Sequence, residues 1–200
     1  MKDWKPTASL KNLKIRAQLL AMIRQFFAER KVLEVETPVL SQAGNTDANI
    51  ESFQLQFNGH NSAGSSLRWL RTSPEFALKR MVAAGVGDCY ELGRVFRNGE
   101  AGKRHNPEFT MLEWYRVGWN HNQLMDETAE LIRAAMHLVG KKTTVRDISF
   151  RQLYQEKFGF DPLTANEGEL RGPLAVYGID PSGLNRDDWL DLLMTHLIQP

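Results

Sequence analysis

The fold of this chain is constrained most by a pair of strand patterns that flank a polar loop. Tyr90–Phe96 and Phe109–Val117 are rich in aromatic and aliphatic residues, whereas Arg97–Pro107 between them is polar and contains two glycines. Two such runs joined by a loop are typical of an antiparallel hairpin. The alternating run Phe53–Phe57 and the later run Leu67–Leu70 predict a second hairpin, whose first strand has one buried face.

Helices are predicted between and after these hairpins. Apolar residues recur at spacings of three and four in Asn12–Arg30, which predicts an amphipathic helix that leads into a short strand. Ser73-Pro74-Glu75 combines a capping serine, a proline at the first helical position and an acid near the positive helix end, so a helix is predicted from there to Ala84. Thr164 and Glu167 have the spacing of a capping box. Later helices are predicted at Gln123–Val139, Phe150–Phe158 and Asp187–Ile198.

These elements together predict an α+β fold built on an antiparallel sheet. Separate helices between hairpins differ from the regular alternation of Rossmann-type folds. The chain contains neither G-x-G-x-x-G nor a P-loop lysine motif, so any nucleotide would be bound in another way. It also shows no repeat and no dividing linker, and we expect residues 1–200 to be part of a single domain.

Composition narrows the function classes. Basic and acidic residues number 25 and 24, which gives a formal charge of +1 and lacks the basic excess of proteins that bind long nucleic acids. A small-molecule or protein substrate is therefore favoured. Cys89 is the one cysteine, expected to be a small buried residue, as suits a reducing compartment. There is no apolar run of membrane-spanning length and no signal-peptide pattern, so we expect a cytoplasmic protein without a membrane partner.

The loop Arg97–Pro107 carries a cluster of cationic side chains. Guanidinium groups bind phosphate oxygens through paired hydrogen bonds, so such a cluster suits a polyphosphate. A solvated hairpin loop without a ligand is the alternative interpretation, and the residues alone leave it open. The cluster consists of Arg97, Lys103, Arg104 and His105.

The strand after this loop has one unusual face. Residues two apart project on the same side, which places Phe109, Met111, Glu113 and Tyr115 together. An aromatic ring, a carboxylate and a phenol on one face suit the stacking of a flat base and the binding of an ammonium group. Leu112 and Trp114 lie on the opposite face and are expected in the core.

Three separated segments resemble class II aminoacyl-tRNA synthetases, specifically the lysyl branch. Phe96–Arg116 resembles motif 2, whose lysyl signature is F-R-N-E-x-x-x-x-R-H-N-P-E-F-T-M-x-E. Phe26–Ser41 resembles motif 1, and Arg71–Glu75 resembles the start of the helix that binds the amino acid. The likeness implies a class II synthetase-type antiparallel sheet flanked by helices, and a homodimer formed through the motif 1 helix.

Within the lysyl branch, the likeness is to members that modify translation elongation factor P. Motif 1 begins almost at Met1, so no anticodon-binding domain is expected, and Thr46–Ile50 also resembles those members. The resemblance implies that ATP, with Mg²⁺, activates (R)-β-lysine or lysine as an aminoacyl-adenylate, which is transferred to a lysine of elongation factor P. It makes tRNA an unexpected partner. A lysyl-tRNA synthetase fragment and a non-catalytic synthetase-like binding or dimerisation module remain alternatives.

The resemblance also implies roles for particular residues. Arg97 would be catalytic, holding the α-phosphate of ATP and stabilising charge as the carboxylate attacks. Phe109 would stack on adenine, and no metal-ligating side chain is assigned. The remaining ATP-binding residues would be Asn98, Gly99, Glu100, His105 and Asn106. The lysine-binding residues would be Ser73, Pro74, Glu75, Glu113 and Tyr115.

The chain departs from the family pattern in two places. The family has a glutamate two residues after the motif 2 arginine, whereas this chain has Gly99 there and an acid at Glu100. Nothing between Val117 and Pro200 resembles the later acidic strand or motif 3, which carries an arginine for the γ-phosphate. We therefore expect the chain to be the N-terminal part of a catalytic domain, with an incomplete ATP site.

Overall fold

The computed structural model describes residues 4–60, 62, 64–103 and 105–199, and the chain divides into two units at Thr143. The N-terminal unit contains two small sheets and three α-helices within the described residues. Its helices are α1 (Leu10–Glu29), α2 (Glu75–Ala83) and α3 (His121–His137). Its strands are β1 (Leu33–Glu34), β2 (Leu40–Ser41), β3 (Gln54–Gln56), β4 (Leu67–Leu70), β5 (Cys89–Phe96) and β6 (Glu108–Tyr115).

The first sheet has the order β1-β5-β6 and contains the predicted long hairpin. β5 and β6 pair antiparallel from Cys89 opposite Tyr115 to Phe96 opposite Glu108. β1 pairs with β5 in parallel, so the expectation of a wholly antiparallel sheet is wrong at this edge. The long connection between β1 and β5 makes this possible, because parallel neighbours need a crossover, whereas a tight turn joins only antiparallel strands.

The second sheet has the order β2-β4-β3 and is antiparallel throughout. The predicted hairpin of β3 and β4 is confirmed, but the predicted buried face of β3 is not. All three residues of β3 are exposed, including Leu55 at 40%. Alternation shows that a strand has an apolar side, and it does not show whether another element covers that side.

The core of the N-terminal unit forms where α1 packs against the first sheet. Phe27 is fully buried and stacks on Tyr90, with 4.5 Å between the ring centroids. Leu112 and Trp114 pack against this cluster, as expected from their side of β6. Cys89 is buried and free, as predicted. The helix predicted at Asn12–Arg30 is amphipathic, as expected, because its apolar side is buried against the first sheet.

The C-terminal unit is helical in the described residues. Its elements are α4 (Phe150–Phe158), α5 (Glu167–Arg171), a 3₁₀ helix (Gly172–Tyr177), α6 (Arg186–Leu193) and a π-helix (Met194–Ile198). The predicted capping box is wrong by two residues, since Asn166 caps α5 and pairs reciprocally with Glu169. Asn166 is the better cap because its amide oxygen accepts from the backbone N–H of Glu169. Among the described residues, no helix is long and apolar enough to cross a membrane.

Candidate functional site

A cavity of about 540 Å³ opens between the loop after β2, the start of α2 and the β5–β6 hairpin. It brings together five residues predicted from the sequence. They are Ser73, Pro74, Glu75, Arg97 and Glu113. These residues come from three separate segments, so the structure confirms their proximity; their roles remain predictions.

Ser73 joins the start of α2 to β6. Its Oγ accepts a hydrogen bond from the backbone N–H of Glu75 at 3.0 Å and donates to Oε1 of Glu113 at 2.6 Å. The same hydroxyl therefore bonds the first residue of the helix and holds a carboxylate of the cavity wall. The helix begins at Glu75 with Pro74 as its N-cap residue, one position later than predicted.

Two polar atoms of the cavity-lining residues are buried without a partner. Oε2 of Glu113 and Nε of Arg97 have no hydrogen-bond partner among the described residues. Buried polar groups are nearly always paired in folded proteins, because desolvation without a compensating bond is costly. One unpaired acceptor and one unpaired donor beside the same cavity suit the binding of a charged ligand.

Tyr115 lies two residues beyond Glu113 on the same face of β6. Burial raises the pKa of its phenol above the ordinary value, and the negative charges of Glu113 and then Glu75, followed by a hydrogen bond with Glu113, raise it further. The phenol therefore keeps its proton at neutral pH and remains a hydrogen-bond donor. Glu75 pairs with Lys79 one helical turn along α2.

Arg97 also lines the cavity. Its backbone N–H donates to the carbonyl oxygen of Pro107 at 2.9 Å, which closes the base of the motif 2 loop. Its guanidinium carbon lies 5.2 Å from the ring centroid of Phe109, within the range of a cation–π contact. Nη1 is 3.7 Å from Oε1 of Glu100. Arg97 is therefore oriented by an aromatic ring and a carboxylate.

The loop after Arg97 explains the departure from the family pattern at position 99. Gly99 has a φ of +79°, a conformation that glycine adopts at little cost and that residues with a Cβ rarely adopt. The acid is carried instead by Glu100, which pairs with Arg97. Asn98 is held in place by the backbone carbonyl and the carboxylate of Glu51.

A second groove of about 660 Å³ adjoins the cavity and shares Asp47 with it. Asn98, Gly99 and Glu100 line this groove. Phe109 lies beside Arg97, whereas His105 and Asn106 are exposed and line neither space. Of the predicted basic cluster, Lys103 is exposed and Arg104 lies outside the described residues.

A buried polar network next to the cavity was not predicted from the sequence. Arg71, Thr37 and Glu91 bond to one another, and Arg71 and Thr37 line the cavity. One available signal was Glu91 itself, because a charged residue inside an apolar strand needs a buried partner. The sequence does not reveal which cation that partner is.

No site for a resident metal is formed by the described residues. Among them, no three histidine, cysteine, aspartate or glutamate side chains converge as metal ligands do. The Mg²⁺ implied by the resemblance therefore stays a prediction, and these side chains do not provide a set of ligands for it.

Comparison with known proteins places the chain in a family. Residues 2–180 match the family described as class II tRNA synthetases (D, K and N). The elongation factor P–(R)-β-lysine ligase of Vibrio vulnificus is 46% identical over 197 residues, covering 96% of this chain and 59% of that protein. The ligase of Vibrio cholerae is 45% identical over 202 residues, covering 99% and 61%, and that of Haemophilus influenzae is 40% identical over 201 residues, covering 100% and 61%.

The chain thus spans about 60% of the length of the curated relatives that it matches. The family match covers most of the chain and includes every residue that lines the cavity. On this basis, the chain belongs to the class II tRNA synthetases of the D, K and N group.

Proposed function

We propose that the protein uses ATP to activate (R)-β-lysine or lysine and transfers it to a lysine of translation elongation factor P. Two lines of support converge on this proposal. The similar proteins from Vibrio and Haemophilus carry the name of this ligase activity. The residues that line the cavity include carboxylates, which suit amino groups, and an arginine, which suits a phosphate.

The observation that carries the proposal is the unpaired Oε2 of Glu113. A substrate ammonium group would supply the missing donor and would neutralise the buried charge. Glu75 adds a second carboxylate beside the cavity, which suits a substrate with two amino groups. The hydroxyl of Ser73 adds a polar group to the wall of the cavity, and the protonated Tyr115 lies on the same face of β6 but is not among the residues that line the cavity.

Arg97 is the residue proposed to promote the first chemical step. A carboxylate oxygen of the amino acid attacks the α-phosphorus of ATP, the bond to the bridging oxygen breaks, and pyrophosphate leaves. The guanidinium stabilises the charge that develops on the α-phosphate, and preorganised stabilisation of this type is often the largest catalytic contribution. Phe109 would stack on the adenine, with Asn98, Gly99, Glu100, His105 and Asn106 as further nucleotide contacts.

The second step needs no nucleophile from this chain. The uncharged amine of the acceptor lysine attacks the carbonyl carbon of the adenylate, AMP leaves, and the nitrogen loses a proton. Catalysis then depends on holding the two reactants in the correct geometry.

We also propose that both units form part of one catalytic domain and that the protein is a cytoplasmic homodimer. Leu10 and Leu13, exposed on α1, are apolar contacts that such a dimer could bury.

The test is to incubate the full-length protein with ATP, (R)-β-lysine and elongation factor P, because the ATP site within this chain is expected to be incomplete, and to measure the intact mass of the factor. We expect a mass increase of one lysyl residue that depends on ATP and disappears when the acceptor lysine is changed to arginine. Total tRNA serves as the competing acceptor. Efficient charging of tRNA with no modified factor would favour a lysyl-tRNA synthetase, and dimerisation without ATP binding would favour a non-catalytic module.

A further inference from the structure

A buried ion pair lies at the wall of the cavity. Nη2 of Arg71 is 2.5 Å from Oε1 of Glu91, and the two side chains are only 7% and 4% exposed. Arg71 also donates from Nε to the carbonyl oxygen of Arg94 at 3.0 Å and from Nη1 to Oγ1 of Thr37 at 2.8 Å. Oε2 of Glu91 accepts from the backbone N and the Oγ1 of Thr37. Both buried charges are therefore paired and hydrogen-bonded.

The ion pair between Arg71 and Glu91 matters for the cavity because of the place that Glu91 occupies on β5. Glu91 pairs directly with Glu113 across the hairpin, so the two carboxylates project from the same face of the sheet. Like charges placed opposite one another on adjacent strands repel. Arg71 supplies a cation to Glu91, whereas no ion pair among the described residues involves Glu113.

Gly93 provides the space that the guanidinium occupies. A Cβ at this position would lie 2.5 Å from Nη2 of Arg71 and 2.9 Å from Oε1 of Glu91. Real Cβ atoms do not approach other atoms so closely. A residue with a side chain at position 93 would therefore displace the ion pair.

The backbone of Arg71 also fixes the segment that carries the lysine-binding residues. Its N–H donates to the carbonyl oxygen of Val39 at 3.0 Å, and its carbonyl oxygen accepts from the N–H of Phe96 at 2.9 Å. The chain then continues directly to Ser73 and Glu75. Arg71 thus connects the second sheet to β5 immediately before the amino-acid side of the cavity.

We propose that Arg71 and Glu91 are a positioning pair for the amino-acid site. Glu91 neutralises the guanidinium in the cavity wall, so that the negative charge of Glu113 remains available to an ammonium group of the substrate. Without Glu91, Arg71 would be an unpaired cation beside the position where a cationic amino acid binds. The inference rests on the proposed function, and it assigns no contact with the substrate to Glu91.

The central variant is Glu91→Gln, which keeps the side-chain size and removes its charge. The ATP–pyrophosphate exchange reaction gives separate KM values for the amino acid and for ATP. We expect the KM for lysine or (R)-β-lysine to rise by about tenfold or more, because an uncompensated buried charge is costly. The KM for ATP is expected to remain within about twofold, since ATP does not depend on this carboxylate for its binding.

Two further variants separate charge from folding. Arg71→Met combined with Glu91→Gln removes both charges, and we expect the amino-acid KM to return to within about threefold of the wild-type value. Glu108→Gln is the matched control, because Glu108 pairs with Arg94 on the same hairpin at 3.3 Å but is exposed. It is expected to leave both KM values unchanged.

The outcomes distinguish this inference from the function on which it rests. A wild-type protein without lysine-dependent exchange would reject the proposed function, and the pair would lose its role with it. An active wild type whose Glu91→Gln variant raises both KM values equally, or neither, would overturn the positioning role alone. If Glu91→Gln does not fold, the test rests on the double variant Arg71→Met with Glu91→Gln. A raised amino-acid KM in that variant would contradict the claim that the uncompensated charge of Arg71 weakens amino-acid binding.

Discussion

Two carboxylates, the buried Glu127 of α3 and the half-buried Glu113 of β6, have different hydrogen-bonding environments. Glu127 of α3 accepts from Nη2 of Arg116 at 2.8 Å and from Nε1 of Trp114 at 3.0 Å, so both of its oxygens are paired. Glu113 is paired through Oε1 only, and its Oε2 is buried without a partner among the described residues. A fully paired carboxylate stabilises the fold, whereas a partly paired one beside a cavity is suited to a ligand.

The two faces of β6 account for this difference. Side chains of a strand alternate between its two faces, so Trp114 and Glu113 point in opposite directions. The Trp114 face packs on α1, with 5.6 Å between the ring centroids of Phe27 and Trp114. The Glu113 face borders the cavity. Substitutions on the two faces should therefore affect different measurements.

The largest effect on stability is expected for Glu127→Ala. Arg116 is buried and would lose one of its two carboxylate partners, so we expect the free energy of unfolding to fall by about 3 kcal/mol. Chemical denaturation measures this change. The KM for the amino acid in the folded fraction should not change. A fall of less than about 1 kcal/mol in the free energy of unfolding would show that Glu127 does not stabilise the fold in this way.

The largest effect on catalysis is expected for Arg97→Ala. Removal of a donor that stabilises transition-state charge lowers kcat by about 10²–10³-fold. Pyrophosphate exchange measures the rate, and the melting temperature should stay near the wild-type value. Arg94→Ala is the matched control, because Arg94 is an exposed arginine on the preceding strand. Equal losses in the two variants would argue against a specific role for Arg97.

A smaller catalytic effect is expected for Glu113→Gln. Hydrogen bonds to charged groups contribute about 1.5–3 kcal/mol, so kcat/KM for lysine should fall by roughly 10- to 100-fold. The variant should retain its unfolding free energy, in contrast to Glu127→Ala. If Glu113→Gln destabilises the protein as much as Glu127→Ala does, the distinction between the two carboxylates is wrong.

The smallest effect concerns the pH dependence of stability. Burial and neighbouring carboxylates raise the pKa of Tyr115, so the folded protein binds this proton more tightly than the unfolded chain does. The stabilisation is complete below pH 10, where unfolded tyrosines are protonated, and stability then falls by up to about 1.4 kcal/mol per pH unit as they ionise.

An absorbance titration of the phenols at alkaline pH measures this property directly. Tyr115→Phe should remove a tyrosine that titrates late, because its pKa is raised. Loss of a tyrosine that titrates near pH 10 would show that Tyr115 does not lie beside the carboxylates in solution.

Local patterns predicted much of the fold. The apolar period of α1, the proline and acid at the start of α2, and the alternation of β6 each depend on residues close in sequence. The parallel pairing of β1 with β5 joins segments far apart in the chain, and no local pattern encodes it. The exposure of Leu55 also depends on distant elements, since an apolar strand face is buried only where something covers it.

The candidate site was predictable in part for the same reason. Alternation along one strand placed Glu113 and Tyr115 on a common face, whereas Ser73 and Glu75 were predicted from the residues only as a helix start and were assigned to the site by the resemblance to class II synthetases. The pairing of Glu91 with Glu113 follows only from the register of the hairpin, so the ion pair of Glu91 with Arg71 was not visible in the sequence. The nucleotide roles of His105 and Asn106 stay predictions.

The central claim is that the cavity recognises the second amino group of a lysine-type substrate. Isothermal titration calorimetry can compare lysine with 2-aminohexanoic acid, which has the same carbon chain without the terminal amine. We predict that lysine binds at least about tenfold more tightly, because only lysine has the terminal ammonium group that we propose to pair with the buried oxygen of Glu113. Equal affinities for the two compounds would contradict the account.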